Sequence, residues 1–314
     1  MNSLLGGIFL GWSLGANDAA NVFGSAVSSR MLKFWTAAIL AAVFVLIGAL
    51  VAGQSGIETL QGLTHFTSRQ AIVASVAAAC TVTLMTLLGL PVSTSQAVVG
   101  AILGVGLLNR QLNFAGLGKV VVCWLGTPLG GVLLGIIVYK LLAAIANSMN
   151  LNIFQSDILL RLCLIAAGSY GAFALGANNV ANVTAVFVGA GMLNLSAATF
   201  IGGLSIGLGI LTFSKGVMDT VGKKLVKLDP FSALVVVLAH AVTVHIYALI
   251  GVPVSTSQAV IGAVLGVGII KGVNTIQRRT LAHIFLAWFI TPFVAFLFAL
   301  FLDFATHLRY IPGQ

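Results

Sequence analysis

The sequence predicts an all-α integral membrane protein, built as an inverted-topology tandem repeat with discontinuous helices and two re-entrant helical hairpins. Three observations lead there. Hydrophobic residues fill 59% of the 314 positions, charged residues 7%, and the mean hydropathy is +1.12. Soluble domains carry about a quarter charged residues, so an ordinary soluble fold is excluded. The second observation is that Pro91 to Gly106, PVSTSQAVVGAILGVG, returns at Pro253 to Gly268 as PVSTSQAVIGAVLGVG, identical at fourteen of sixteen positions. Third, two more landmarks repeat in the same order: GANDAANV from Gly15 against GANNVANV from Gly176, and Trp124 to Pro128 against Trp288 to Pro292. Three landmarks at offsets of 161 to 164 residues identify an internal duplication.

Taken in order, the segment through Ser29 reads as an apolar half, the polar break Asn17-Asp18-Ala-Ala-Asn21, and a second helical half. About twenty helical residues span the hydrocarbon, which puts the break near the midplane. After the basic connection Arg30 to Lys33, Phe34 to Ala52 is a clear span, followed by a polar loop to Arg69. Gln70 to Leu90 is apolar but carries Thr81, Thr83 and Thr86, and it leads through Gly89 and Pro91 into the serine stretch. Two apolar arms joined at a polar tip predict a re-entrant hairpin, tolerated in a membrane only where it lines a cavity. The long run Leu117 to Ala146 contains Pro128, which predicts a kink. These elements divide the chain into a first membrane repeat (1–146), a linker (147–157) and a second repeat (158–314).

The net charge of +9 would suggest nucleic acid in a soluble protein, but here the Lys and Arg sit between apolar runs. They act as topology signals, and the partner they imply is the lipid bilayer rather than nucleic acid. If the hairpins do not cross, each repeat crosses an odd number of times and the second is inverted. With the N-terminus outside, the inner face holds Arg30, Lys33, Lys140, Arg161, Lys215, Lys223, Lys224, Lys227, Lys271, Arg278 and Arg279; the outer face holds Arg69, Arg110, Lys119 and Arg309. Eleven against four obeys the positive-inside rule and predicts a multi-pass cell-membrane protein with both termini outside. The class is compatible with a homo-oligomer, though no interface is legible in the sequence.

Each serine stretch has the form of a helix N-terminus, with hydroxyls able to accept bonds from the first free N–H groups. Inside a membrane protein such an end attracts anions through its free N–H groups and positive dipole end. Two of them predict one anion held between Ser93, Thr94, Ser95 and Gln96 of the first tip and Ser255, Thr256, Ser257 and Gln258 of the second. Hydroxyls, carboxamides and N–H groups suit a tetrahedral oxyanion. No Lys or Arg lies in these motifs, and burying an uncompensated charge is costly, so a mobile cation travels with the anion. Its expected ligands are Asn17, Asp18 and Asn21 with Asn178, Asn179 and Asn182, together with carbonyls freed at two helix breaks, since hard cations take oxygen ligands. Of six acidic residues, Asp18 alone falls in the apolar interior and the rest fall in or near connections. One carboxylate can carry a proton but amides cannot, so Na⁺ is favoured as the co-transported ion, with no organic cofactor implied. No nucleophile–base pair or phosphate-cradling loop suggests an enzyme. Proton-coupled phosphate or sulfate symport and, further off, a passive anion channel stay open.

With GANDAANV, GANNVANV and two PVSTSQAV motifs, the sequence resembles the inorganic phosphate transporter (PiT) family, whose signature is a duplicated Gly-Ala-Asn-Asp-type motif. The resemblance covers both halves. It implies a secondary transporter taking up inorganic phosphate with Na⁺, or with H⁺ in some members. It also ties the Asn/Asp motifs to cation coupling and the serine tips to phosphate. Asn179 stands where many such proteins carry Asp, and Phe44-Val45-Leu46 lacks the glutamate of animal members.

Overall fold

A computed structural model describes residues 2–87, 92–109, 112–224, 228–272 and 278–308. Gly89 and Pro91 at the first expected hairpin tip, and Arg110, Lys227 and Arg309 among the topology charges, lie outside the described residues. The described residues form helices and no strand: α1 (Leu5–Ser28), α2 (Phe34–Ala52), α3 (Gln54–Gln61), α4 (Ser68–Leu87), α5 (Thr94–Asn109), α6 (Phe114–Ser148), α7 (Ile153–Gly189), α8 (Leu195–Lys224), α9 (Pro230–Ile250), α10 (Thr256–Lys271) and α11 (Arg278–Leu308). Seven of these are long and apolar enough to cross a bilayer, namely α2, α4, α6, α7, α8, α9 and α11, so this is a multi-pass membrane protein. Helices α5 and α10, at sixteen residues each, are too short to do so unaided.

Two expectations need correction. The Asn/Asp motifs do not break their helices: α1 runs through Asn17, Asp18 and Asn21, and α7 runs through Asn178, Asn179 and Asn182. Asn and Asp inside a helix cost at most about 0.7 kcal/mol each relative to Ala, whereas opening the ladder inside a membrane strands backbone groups away from water. All of these side chains but Asn17, which bonds Asp18, find a partner outside their own helix, so nothing draws them back onto their own backbone. The segment before Arg69 is likewise not simply a loop, because α3 forms there and seats Gly56 against Ala181 of α7 and Pro253.

The packing pairs each element with a partner from the other half. Helix α1 lies on α8 as α2 lies on α7, and α5 lies on α11 as α10 lies on α6. Glycines at matched positions allow the approach. A methyl group added to Gly15 would stand 2.0 Å from the Ile206 carbonyl oxygen, and one on Gly176 would stand 2.0 Å from that of Val45. Gly100 meets the Pro292 carbonyl and Gly262 the Pro128 carbonyl, each at 2.2 Å by the same measure. Lipid offers no hydrophobic drive between helices, so backbones in van der Waals contact supply the cohesion.

Burial places the centre. The α4 and α9 spans are each 61% buried, against 17% for α6, whose Leu125, Leu129 and Leu133 face outward as lipid-facing residues would. Asp303, expected near a connection, lies inside the α11 span and is buried; Arg69 in the first turn of α4 compensates it at 2.9 Å.

Candidate anion and cation site

The sequence of each tip dictates its local form. Ser93 Oγ accepts from Gln96 N and Ser255 Oγ from Gln258 N, both at 3.3 Å, so each serine caps its helix. The caps leave the first-turn N–H groups of α5 and α10 directed at the space ahead of the helices. The two tips meet head to head: Ser95 Oγ donates to the Val254 carbonyl and Ser257 Oγ to the Val92 carbonyl, each at 2.9 Å. This reciprocal pair fixes the two N-termini against one another. All eight predicted tip residues are buried.

Asp18 of α1 joins three helices at this point. Its Oδ1 accepts from Asn17 Nδ2 at 3.0 Å, and its Oδ2 accepts from Thr94 Oγ1 at 3.2 Å and Asn179 Nδ2 at 3.1 Å. Asn179 Oδ1 in turn accepts from Asn178 Nδ2 at 3.0 Å and Asn182 Nδ2 at 2.9 Å. Asn182 Nδ2 also reaches Ser95 Oγ at 2.9 Å, and Asn21 Nδ2 donates to Thr256 Oγ1 at 3.1 Å. Thus each asparagine helix is bonded to the serine tip of the opposite half. The carboxylate and its amide neighbours present oxygens, while the helix ends present N–H groups, so donor and acceptor faces adjoin in one buried volume.

The structure therefore brings all fourteen predicted residues to one centre. Asp18, Asn178, Asn179 and Asn182 are buried there, and Asn17 and Asn21 are half-buried. Because α1 and α7 are unbroken, no backbone carbonyl is freed at either motif, and the oxygens presented there belong to side chains. Sequence reasoning missed the strand-like segment before α10. Val254 N donates to Asn178 Oδ1 and Val254 O accepts from Asn178 Nδ2, both at 2.9 Å, so one side-chain amide clamps both backbone groups of one residue. Nothing in a valine signals that role. Among the described residues no group of His, Cys, Asp and Glu is arranged to hold a transition metal. His245 is bonded to Tyr170 at 2.7 Å, and His240 is fully buried.

A paired helical membrane fold enclosing a centre of hydroxyls, amides and one carboxylate defines a protein of the membrane-transporter class. The chain belongs to the phosphate transporter family, whose family model matches residues 14–299. It is 30% identical to the sulfate permease CysP of Bacillus subtilis over 93% of this chain and 84% of that protein. It is 28% identical to a putative phosphate permease of Thermococcus kodakarensis, covering 96% of each, and 28% identical to one of Methanocaldococcus jannaschii, covering 91% of each. Its fold matches that of a solved sodium-dependent phosphate transporter with a TM-score of 0.85 and 23% identity, over 98% of this chain and 100% of the other.

Proposed function

We propose that this protein imports inorganic phosphate across the cell membrane together with Na⁺, as a secondary transporter and not an enzyme. The observation that carries the reading is the head-to-head meeting of two capped helix N-termini beside Asp18. Phosphate is held by N–H groups and hydroxyls of Ser93 to Gln96 and Ser255 to Gln258, where the dipole ends favour an anion. Na⁺ is held by Asp18 and the oxygens of Asn17, Asn21, Asn178, Asn179 and Asn182, a hard-oxygen set for a hard cation. The cation offsets the charge that the tips alone cannot.

In this reading 1–146 and 158–314 are inverted repeats, α4–α5 and α9–α10 are re-entrant hairpins, both termini face outside, and one bundle rocks against the other around the site. The exchanged packing of matched helices supports a two-fold relation between the halves. Sodium dependence belongs to the name of the transporter that shares the fold.

The test is uptake of labelled phosphate into proteoliposomes under an inward Na⁺ gradient, then under a pH gradient alone. Accumulation only with Na⁺ is expected. Accumulation driven by pH alone would move the coupling to H⁺, and equilibration without accumulation would mean a channel. The sulfate permease among the relatives favours one second reading, sulfate as cargo, which labelled sulfate in the same vesicles decides.

A further inference from the structure

Gln96 and Gln258 occupy the third helical position after a capping serine, the arrangement in which a glutamine side chain ordinarily reaches back to the N–H of the capping residue. That closure is formed elsewhere in this chain. At the start of α7, Asn152 Oδ1 accepts from Gln155 N at 2.8 Å, and Gln155 Oε1 accepts from Asn152 N at 3.1 Å. At the two tips only the first half forms. Gln96 is 6% exposed and Gln258 is 3% exposed, yet the Oε1 of each has no hydrogen-bond partner among the described residues. The Oδ1 of Asn182, 1% exposed and anchored to the α5 tip through Ser95, has none either. A buried acceptor left without a donor costs about 1–3 kcal/mol, and here the cost is incurred twice at matched positions.

Resting on the phosphate reading above, we propose that the free Gln96 and Gln258 carbonyl oxygens select an oxyanion that carries a hydroxyl. They accept the O–H of phosphate or arsenate and reject sulfate. The chemistry of the two anions makes the distinction. Near neutrality phosphate is present as the monohydrogen and dihydrogen anions, so it brings an O–H donor for one of the two carbonyls or for both. Sulfate is fully ionised, and whichever of its oxygens met Gln96 or Gln258 would face a carbonyl lone pair without a hydrogen between them. Anion size and geometry are nearly the same, so N–H groups and serine hydroxyls cannot separate them. A site that satisfies a buried polar group only with the hydroxylated ligand discriminates strongly against one lacking it, by as much as about 10⁴-fold.

The experiment measures competition against labelled phosphate in proteoliposomes with Na⁺ held constant, using arsenate, sulfate and monofluorophosphate. The last replaces the hydroxyl by fluorine and at neutral pH is a dianion with no O–H. Arsenate is expected to compete at concentrations comparable to phosphate, whereas sulfate and monofluorophosphate fail to compete at about a hundredfold excess. In the double variant Gln96→Met, Gln258→Met, the ratio of sulfate to phosphate affinity should narrow at least about tenfold. Equal competition by arsenate and monofluorophosphate in the unaltered protein overturns the proposal without needing any variant. So does a double variant that still rejects sulfate but has lost its Na⁺ dependence, which would make the two oxygens sodium ligands. Failure of the unaltered protein to bind phosphate at all would remove the transport reading, and this inference with it.

Discussion

At the scale of single residues, Asp18 is the member of the site with a negative charge, and it gathers donors from α1, α5 and α7. Asp18→Asn removes that charge and puts a donor where Thr94 and Asn179 already donate. Hydrogen bonds to charged groups contribute about 1.5–3 kcal/mol, so Na⁺-dependent uptake should fall by roughly ten- to a hundredfold. Unchanged sodium dependence would remove Asp18 from the cation site. The capping serines act on two properties at once. Ser93→Ala with Ser255→Ala should lower stability in detergent by about 1 kcal/mol per cap and weaken phosphate affinity at least about tenfold. A purely structural role would show the first effect without the second. Outside the membrane, Asp229 caps α9, accepting from Ser232 and pairing with Lys271. Partial burial works to raise its pKa, but the Lys271 and Ser232 bonds outweigh it and hold the carboxyl at about 2. A depressed carboxylate stabilises the fold above its unfolded pKa of about 3.9 and loses that contribution as pH falls toward the folded value. The stability gap between Asp229→Asn and the unaltered protein should therefore be present at pH 7 and shrink as pH falls through about 4, which thermal unfolding at a series of pH values checks.

At the scale of elements, cohesion depends on backbone-to-backbone contacts at matched glycines. Gly15→Val and Gly176→Val each drive a side chain into a carbonyl of the facing helix, at Ile206 and Val45, which are themselves carbonyls and cannot yield as a flexible side chain would. Each should cost roughly 1–3 kcal/mol or more in thermal unfolding. Gly118→Ala in α6 has open space around the added carbon and should be neutral or slightly stabilising. Equal effects at Gly15 and Gly118 would mean that these approaches do not carry the packing. The two halves are not identical in how they fasten α4 and α9. Arg69 of α4 pairs with Asp303 of α11, while at the matched place Phe231 of α9 stacks edge-on against Tyr139 of α6 at 5.5 Å. At this matched place one helix is held by a largely buried ion pair and the other by an aromatic contact.

For the whole molecule, the decisive quantity is orientation. In a chain freed of Cys80, Cys123 and Cys163, a cysteine at Asn194, between α7 and α8, should react with a membrane-impermeant thiol reagent from outside. One at Arg30, between α1 and α2, should react only after permeabilisation. The opposite pattern would invert the assignment, and labelling of both sites from one side would remove the inverted repeat.

Much of this protein was legible in the chain itself. Membrane embedding followed from composition, because a bilayer leaves few places for charge. The duplication was read from repetition, and so were the fourteen polar residues that the fold gathers at one centre, because polar side chains are costly among apolar runs. Other features required the tertiary structure. Whether Asn17 to Asn21 would break α1 depended on partners hundreds of residues away, such as Thr256, which local propensity cannot register. The reciprocal Ser95–Val254 and Ser257–Val92 bonds, and the clamping of the Val254 backbone by Asn178, use backbone groups that carry no sequence signature. The free oxygens of Gln96 and Gln258 were decided there as well. Both sequences spell a capping box that closes at Gln155 and stays open at the tips, and only the packing around each helix end determines which of the two occurs.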